Sequence, residues 1–259
     1  MRARRVHIIG CYRSGTTLLM ELMWGSFAFS GRAEHEASLL DLPPAGETLY
    51  LSKKPPDTTR IERAFLRDDE TFLIGMLRDP RAVVTSRHES RPDVYFRGFR
   101  HWRDCAQAIR ALEGHRRFLV VRFEDLVTDP RAVQEAIEQR LGFLKRRARF
   151  SDYPAGVEAG AGAVESLGGV RRLDASRITG WKDHLPRIKT QLDAYPDMAS
   201  ILVEHGYEPD DAWTAMLDGI TPHRQSYKER RPHLFKRWET ALRYRMRTRA
   251  YLRKRGLPG

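Results

Sequence analysis

The first 23 residues contain the pattern that most constrains the fold of this chain. Val6 to Ile9 form a short apolar run rich in β-branched residues, which predicts a buried strand, and Gly10 follows it. A loop of mostly small and hydroxyl-bearing residues, 11–17, then leads into apolar residues at helical spacing: Leu18, Leu19, Leu22 and Met23. Such a loop directs several backbone N–H groups into one hollow, with the positive end of the helix dipole behind them. The pattern therefore predicts a strand–loop–helix unit that binds a phosphate or sulfate group.

The side chains of this loop suit an anion in different ways. Ser14, Thr16 and Thr17 offer hydroxyl groups. Gly15 lets the backbone approach the ligand closely, and Arg13 supplies a forked cationic donor. An ordinary strand–helix turn is the alternative interpretation.

The same loop nearly matches the nucleotide P-loop, G-x-x-x-x-G-K-[ST]. Gly10 and Gly15 have the right spacing and Thr17 occupies the Ser/Thr position. Thr16, however, stands where the P-loop has a lysine, and in P-loop nucleotide enzymes that lysine contacts the β- and γ-phosphates. The loop therefore indicates a related anion bound in a different way, with a P-loop kinase-like nucleotide enzyme as the alternative.

Strand and helix patterns alternate along the chain. Thr71–Leu77 and Phe118–Phe123 are nearly continuous apolar runs, typical of strands buried on both faces. Phe27–Phe29 and Thr48–Ser52 are shorter strand candidates, and Val94–Leu112 is predicted to be largely helical. We therefore expect an α/β fold with a mainly parallel sheet flanked by helices.

The net charge of +12 is concentrated at the C-terminal end. Residues 223–259 contain 13 Lys/Arg and 2 Glu, whereas the rest of the chain contains 33 basic and 32 acidic residues. We predict a catalytic domain over residues 1–209 and a basic, helical extension over residues 210–259. A basic amphipathic helix suits an anionic membrane surface or an acidic polymer, so a polyanion-binding protein is the non-enzymatic alternative. The nearly neutral body argues against specific nucleic-acid binding.

Cysteine usage and hydropathy bear on location. The two cysteines, Cys11 and Cys105, are too few for a disulfide framework. No signal-peptide pattern and no run of about 18 apolar residues occurs. We expect a cytoplasmic protein, with peripheral contact to anionic membranes through residues 223–259.

Two short segments offer groups for proton transfer and charge stabilisation. Glu34, His35 and Glu36 follow the first helix, and each can accept a proton. Lys53 and Lys54 precede two prolines and would place an ammonium group at a strand end. Solvent-exposed surface positions are the alternative for both segments.

A second anion site is predicted after the strand Thr71–Leu77. Arg78 follows this strand, and a helix beginning near Pro80 would place Ser86 about two turns further on. Together with the first loop, this site would suit a doubly phosphorylated nucleotide. An Arg78–Asp79 ion pair is the alternative.

The later part of the chain adds a candidate cover for the nucleotide. Residues 155–170 are rich in Gly and Ala, which predicts a loop or mobile lid. Trp181 and Lys182 follow beside Gly180, and the indole is suited either to cover a nucleotide or to pack in the core.

These motifs resemble those of the PAPS-dependent sulfotransferases, where PAPS is 3′-phosphoadenosine 5′-phosphosulfate. YRSGTTLL at 12–19 resembles the 5′-phosphosulfate loop, in the R-S-G-T-T-L form of bacterial, carbohydrate and tyrosylprotein members, and LRDPRAVVTS at 77–86 resembles the 3′-phosphate motif. FEDL at 123–126 is similar to the usual Y-E-D-L, and GWK at 180–182 to the G-x-W segment near the nucleotide. The resemblance runs in order over about residues 5–207. It implies a P-loop-like sulfotransferase fold and transfer of a sulfuryl group from PAPS to a hydroxyl group without a metal.

The resemblance also implies which residues bind the donor. The 5′-phosphosulfate would be held by Arg13, Ser14, Gly15, Thr16 and Thr17. Arg78 and Ser86 would bind the 3′-phosphate, and Trp181 and Lys182 would lie near the nucleotide. Arg13 would also stabilise charge on the leaving phosphate.

The resemblance to this family also indicates which residue is the general base. Glu36 resembles the glutamate of bacterial and tyrosylprotein members, with Glu34 second and His35 a minor candidate. Lys54 resembles the lysine of the K-x-P element and would contact the sulfonate oxygens. Pro56 and Asp57 occupy the region where cytosolic members have a histidine, which disfavours a histidine base there.

The expected acceptor is a carbohydrate or a glycolipid, with a tyrosyl peptide or a small molecule as alternatives. Residues 31–57, 88–100 and 150–176 are the loops expected to select it, and they contain no readable code for the acceptor.

Overall fold

A five-stranded parallel sheet forms the centre of the structure, a computed structural model that describes residues 2–88, 91–152, 173–223 and 233–258. Its strands are β1 (Arg4–Gly10), β2 (Gly31–Arg32), β3 (Leu49–Lys53), β4 (Thr71–Leu77) and β7 (Phe118–Arg122). They lie across the sheet in the order β2-β3-β1-β4-β7. A separate antiparallel pair is formed by β5 (Arg87–His88) and β6 (Arg91–Tyr95).

Helices connect the strands and cover both faces of the sheet. They are α1 (Thr16–Ser26), α2 (Glu62–Arg67), α3 (Pro80–Val84), α4 (Phe99–Arg110), α5 (Phe123–Thr128), α6 (Pro130–Arg140), α7 (Leu185–Ala194), α8 (Met198–Glu204) and α9 (Leu234–Lys254). Short 3-10 turns lie at Pro55–Asp57 and Gly180–His184.

The apolar residues of β1 are divided between two cores because successive side chains of a strand point to opposite faces. Val6 and Ile8 pack in the core that includes α1, whereas Ile9 packs in the core that includes α4. The parallel sheet buried on both sides confirms the predicted α/β fold.

The strand predicted at Phe27–Phe29 is wrong. The next sheet strand is Gly31–Arg32, and Phe27 forms only an isolated bridge with Arg146. Phe27 and Phe29 are buried in the core, and the amide of Ala28 donates to the carbonyl of Lys145. The apolar run therefore reflects core packing beside a neighbouring loop.

The predicted helix over Val94–Leu112 is correct only from Phe99. Residues Arg91–Tyr95 form a strand, and the extended backbone of Gly98 separates that strand from α4. The helix after Pro80 is also shorter than predicted, since it ends at Val84 and leaves Ser86 beyond its C-terminus. There the hydroxyl of Thr85 donates to the carbonyl of Arg81, and the chain turns into β5.

The C-terminal helix α9 is anchored to the domain at its far end. Tyr251 and Leu252 are buried in the main core, and Arg255 Nε lies 2.8 Å from Asp68 Oδ2. The hydroxyl of Tyr251 donates to the same carboxylate. The earlier turns expose a stripe of large apolar residues: Leu234, Phe235, Trp238, Leu242 and Met246. No described helix is long and apolar enough to span a bilayer.

Candidate active site

The loop after β1 folds into a tight turn held by backbone and hydroxyl contacts. The amide and the hydroxyl of Ser14 both donate to the carbonyl of Cys11, at 3.1 and 2.7 Å. Thr58 closes the other side: its hydroxyl accepts from the amide of Gly10 at 2.8 Å and lies 2.9 Å from the carbonyl of that residue. Together these contacts fix the first turn of the loop. The residues after that turn lead directly into α1, as in an anion-binding loop.

Gly15 is required by both backbone conformation and space. Its φ of +96° lies in the region that favours glycine. A Cβ at this position would lie only 2.6 Å from Phe123 Cδ2. The ring of Phe123 therefore packs directly against the loop, which gives the F-E-D-L segment a physical role.

Arg78 also packs against the ring of Phe123. Its guanidinium carbon lies 4.0 Å from the centroid of Phe123. Its Nη1 donates to the carbonyl of Arg13 at 3.1 Å, and its Nη2 donates to the carbonyl of Arg177 at 3.0 Å. The two sequence-predicted anion motifs thus meet around one aromatic ring.

A direct side-chain contact also joins these motifs. Arg13 Nε donates to Ser86 Oγ at 2.8 Å. Arg13 has a φ of +72°, uncommon for a residue with a side chain, and contacts from Ser86 and Arg78 hold this conformation. The structure thus brings Ser86 into the predicted site although the helix that was expected to present it ends earlier.

The electrostatics of Arg78 fit a site for an anion. Burial, with the nearby charge of Arg13, lowers the pKa of Arg78 to about 10, so the guanidinium stays charged at neutral pH. Its Nε is buried and has no hydrogen-bond partner among the described residues. The negative charge of Glu124 favours the charged form of Arg78 and so acts to raise the pKa of Arg78. Burial raises the pKa of Glu124 itself.

Glu36 lies beside Lys53 and near the loop. Its Oε1 is 3.7 Å from Lys53 Nζ, and the lysine is buried while the glutamate is exposed. The pKa of Tyr12 is raised by burial and further by the charge of Glu36, which places this carboxylate near the loop. Glu34 and His35 are also exposed, but the charge of Glu34 acts on Tyr50 instead.

The lysine paired with the candidate base is Lys53, whereas the sequence favoured Lys54. Lys54 is partly buried, and its charge is felt at the buried His7, whose pKa is lowered mainly by burial. The contact of Lys54 with the sulfonate remains a prediction. Lys53 is a second candidate for that contact, because the sequence alone does not distinguish these two adjacent lysines.

Trp181 is buried against a cation of the core. Its ring centroid lies 4.0 Å from the guanidinium carbon of Arg81, and Lys182 Nζ lies 5.8 Å from the same ring. Lys182 itself is exposed. The contact of both residues with a nucleotide remains a prediction, and the predicted Gly/Ala-rich lid at 155–170 lies outside the described residues.

Sequence reasoning missed Thr58 and Arg97. Thr58 binds the first turn of the loop because the 3-10 turn at Pro55–Asp57 carries it there. The guanidinium carbon of Arg97 lies 4.4 Å from the ring centroid of Tyr12, beside Phe96. Neither residue belongs to a spaced motif, so only the tertiary fold reveals them.

Cys11 and Cys105 approach each other behind the loop. A hydrogen bond with Cys11 lowers the pKa of Cys105 against the opposing effect of burial. Burial raises the pKa of Cys11. Both thiols are free.

A basic groove of about 450 Å³ lies between α9 and the region of α2. No acidic residue is among the described residues that line it, and its cations are Arg60, Arg63, Lys236, Arg237 and Arg245. Arg60 in the groove lies close enough to Tyr12 in the loop for its charge to act on the pKa of that tyrosine. The exposed apolar stripe of α9 begins beside this groove.

Comparison with known proteins identifies the fold. No protein-family model matches the sequence, and no curated protein is significantly similar to it. Among solved structures, a sulfotransferase domain from the curacin biosynthetic pathway is 18% identical, with a TM-score of 0.53 over 80% of this chain and 99% of that domain. The chain therefore has the α/β sulfotransferase fold that its motifs predict.

Two further sulfotransferases match less closely. The sulfotransferase domain of an olefin synthase from Synechococcus PCC 7002 is 17% identical, covers 70% of this chain and 88% of its own, and has a TM-score of 0.43. Mouse sulfotransferase SULT7A1, complexed with PAP, is 11% identical, with coverages of 80% and 86% and a TM-score of 0.47.

Proposed function

From this fold and site, we propose that the protein transfers a sulfuryl group from PAPS to a hydroxyl group. The acceptor oxygen attacks sulfur, and the bond from sulfur to the 5′-phosphate oxygen breaks. The products are a sulfate ester, adenosine 3′,5′-bisphosphate and a proton taken by the base. The contact between Arg13 and Ser86 is the observation that carries the proposal, because it joins two anion motifs in a single site.

The donor would bind across both motifs. Its 5′-phosphosulfate lies against the loop, held by Arg13, Ser14, Gly15, Thr16 and Thr17, and its 3′-phosphate lies at Arg78 and Ser86. Trp181 and Lys182 are the proposed neighbours of the nucleotide. The Nε of Arg78, which is buried and has no hydrogen-bond partner within the described part of the chain, supports this placement, since a phosphate oxygen satisfies such a donor. Positively charged donors preorganised around the leaving phosphate stabilise charge that develops as the bond breaks.

Glu36 is the proposed general base. Its nearness to the loop and to Lys53 supports it over Glu34 and His35. An ammonium group from Lys53 or Lys54 would stabilise charge on the sulfonate oxygens. Because these steps use side chains alone, the transfer as proposed needs no metal.

The proposed acceptor is a carbohydrate or a glycolipid. The basic groove beside the loop suits an acceptor with anionic groups, and the apolar stripe of α9 suits one presented at a lipid surface. A tyrosyl peptide and a small molecule are the alternative acceptors, and the assay described below includes both. A cytoplasmic location remains a prediction.

A direct assay tests the activity. The protein is incubated with PAPS and a panel of hydroxyl acceptors, and adenosine 3′,5′-bisphosphate and sulfated products are measured by mass spectrometry. We expect both products in equal amounts with at least one acceptor, and neither with the Arg78→Ala variant. Phosphate transfer from ATP with Mg²⁺, and none from PAPS, would support the kinase alternative.

Helix α9 is also the proposed contact with anionic membranes. Cosedimentation with vesicles containing phosphatidylserine should fall when Trp238 is changed to Ala, because its side chain is 62% exposed. The exposed Met216, which lies outside this helix, provides the matched apolar control Met216→Ala. Equal binding by both variants and the parent protein would contradict the membrane contact.

A further inference from the structure

A cluster of soft metal ligands lies directly behind the candidate donor loop. The sulfur atoms of Cys11 and Cys105 and a ring nitrogen of His101 all lie within 4.8 Å of one another. Cys105 Sγ and His101 Nε2 are 4.0 Å apart. Both cysteines are buried, and His101 is partly exposed.

The helix α4 and the end of β1 bring the three ligands together. His101 and Cys105 are four residues apart on α4, so they share one face of the helix. Phe99 and Trp102 are buried and anchor that helix in the core. Cys11 is the first residue after β1, and the ring of His101 lies beside the ring of Tyr12, with centroids 5.7 Å apart. Two of the ligands therefore stand on a packed helix, and the third stands where β1 ends and the donor loop begins.

The residue types select for a particular class of ion. Thiolates and imidazole together favour Zn²⁺ over oxygen-seeking cations such as Mg²⁺ and Ca²⁺. Two thiolates bound at about 2.3 Å from a tetrahedral zinc lie roughly 3.8 Å apart. No pair of ligand atoms here is more than 4.8 Å apart, so each pair needs to close by about 1 Å or less to bind one ion.

We propose that Cys11, His101 and Cys105 bind one Zn²⁺ ion, with water at the fourth position on the partly exposed side of His101. Binding requires both ligands as thiolates, so any thiol that is still protonated releases its proton to solvent. This site is distinct from the anion hollow on the other side of the loop and takes no part in the transfer step.

The position of Cys11 gives the site an effect on the loop. The carbonyl of Cys11 accepts both hydrogen bonds that Ser14 makes in the first turn. A metal bound to Cys11 would restrain this turn in its folded form. On the basis of the proposed function, Zn²⁺ should therefore tighten the binding of adenosine 3′,5′-bisphosphate, and the nucleotide should tighten the binding of Zn²⁺ by the same factor.

The metal site is tested without any nucleotide. Reduced, metal-free protein is titrated with Co²⁺, a spectroscopic substitute for Zn²⁺, and then with Zn²⁺ as competitor. We expect one equivalent per chain, with thiolate-to-metal charge-transfer absorption and the d–d bands of tetrahedral coordination. Cys105→Ser should abolish the charge-transfer signal at that stoichiometry, and His101→Asn should weaken binding at least tenfold.

The control is His233→Asn, which changes an exposed histidine at the start of α9. It should bind Co²⁺ as the parent does, and circular dichroism should show all variants folded. Unchanged Co²⁺ binding in Cys105→Ser would overturn the proposal. So would reduced protein with two titratable thiols and no bound metal, or protein in which the thiols form only a disulfide.

Nucleotide binding then separates this inference from the proposed function. If Co²⁺ binds as expected and adenosine 3′,5′-bisphosphate does not bind at all, the metal site stands and the proposed function fails. If the nucleotide binds with an affinity that Zn²⁺ does not change, the restraint of the loop is contradicted and the metal site stands.

Discussion

Arg13 Nε donates to Ser86 Oγ at 2.8 Å, across 73 positions of the sequence. The contact connects the loop after β1 with the segment after α3. Arg78 strengthens the connection by donating to the carbonyl of Arg13. A donor with anions at both ends would therefore meet a single connected set of cations and hydroxyl groups.

Ser86→Ala should weaken the binding of adenosine 3′,5′-bisphosphate. The change removes the contact with Arg13 and the proposed contact with the 3′-phosphate. Hydrogen bonds to charged groups contribute about 1.5–3 kcal/mol, or roughly 10- to 100-fold in Kd. Isothermal titration calorimetry measures the loss, with the exposed Ser200→Ala as the matched control. An unchanged Kd in Ser86→Ala would remove this residue from the site.

Gly15→Ala should destabilise the protein by more than the backbone strain alone would. The added Cβ would meet Phe123 Cδ2 at 2.6 Å, in a backbone with a φ of +96°. Gly46→Ala is the matched control, because Gly46 has a φ of +90° and no atom within 4 Å of the added Cβ. Left-handed backbone costs about 1–2 kcal/mol in both variants, and crowding adds about 1–3 kcal/mol at Gly15 alone.

Urea unfolding of the two glycine variants measures the difference. We expect Gly15→Ala to be the less stable variant and to bind nucleotide more weakly than the parent. Equal losses of stability in both variants would show that Phe123 yields easily and does not constrain the loop.

Glu36→Gln should lower kcat by about 10²- to 10⁴-fold, the usual contribution of a general base. Its binding of adenosine 3′,5′-bisphosphate should be unchanged, since the base acts on the acceptor. Glu34→Gln, two residues away and also exposed, should keep full activity. A loss of activity in Glu34→Gln with none in Glu36→Gln would reverse the assignment.

Arg255→Ala should destabilise the protein by about 3–5 kcal/mol at neutral pH, because it leaves a buried carboxylate without its cation. Arg243→Ala is the control, since the Arg243–Glu239 pair is exposed and contributes less than about 1 kcal/mol. Guanidinium unfolding measures both variants. Similar small losses would mean that the buried pair does not anchor α9.

The same pair should make stability depend on pH. Burial alone would raise the pKa of Asp68, but hydrogen bonds from Arg255 and Tyr251 lower it overall from the ordinary value of 3.8. Its ionised form therefore stabilises the fold above about pH 3.8 and loses this effect as the pH falls through the lower folded pKa. The difference between the parent protein and Asp68→Asn should shrink below that pH.

Local sequence patterns predicted the parts of the site that lie on one strand–loop–helix unit. The apolar run at Val6–Ile9 and the small residues after it located the loop, and the run at Thr71–Leu77 located Arg78 at a strand end. Buried parallel strands of this kind have strong local signals. The fold class could therefore be predicted from the chain alone.

Contacts between distant segments could not be predicted in this way. Ser86 reaches Arg13 after the helix has ended, and Thr58 reaches Gly10 through a 3-10 turn, neither of which follows from helical spacing. The pairing of Cys11 with Cys105 depends on how α4 packs against the end of β1. Lys53 and Lys54 are adjacent, so only the observed side-chain direction distinguishes which one meets Glu36.

Thermal unfolding with nucleotides tests the central claim, a site for a 3′-phosphorylated sulfuryl donor, most directly. Adenosine 3′,5′-bisphosphate at about 100 times its Kd should add roughly 2.7 kcal/mol of stability and raise the Tm, whereas ADP, or ATP with Mg²⁺, at the same concentration should have little effect. The shift should be lost in Arg78→Ala and kept in Arg243→Ala. A shift with ATP and Mg²⁺ alone, or an undiminished shift in Arg78→Ala, would contradict the account.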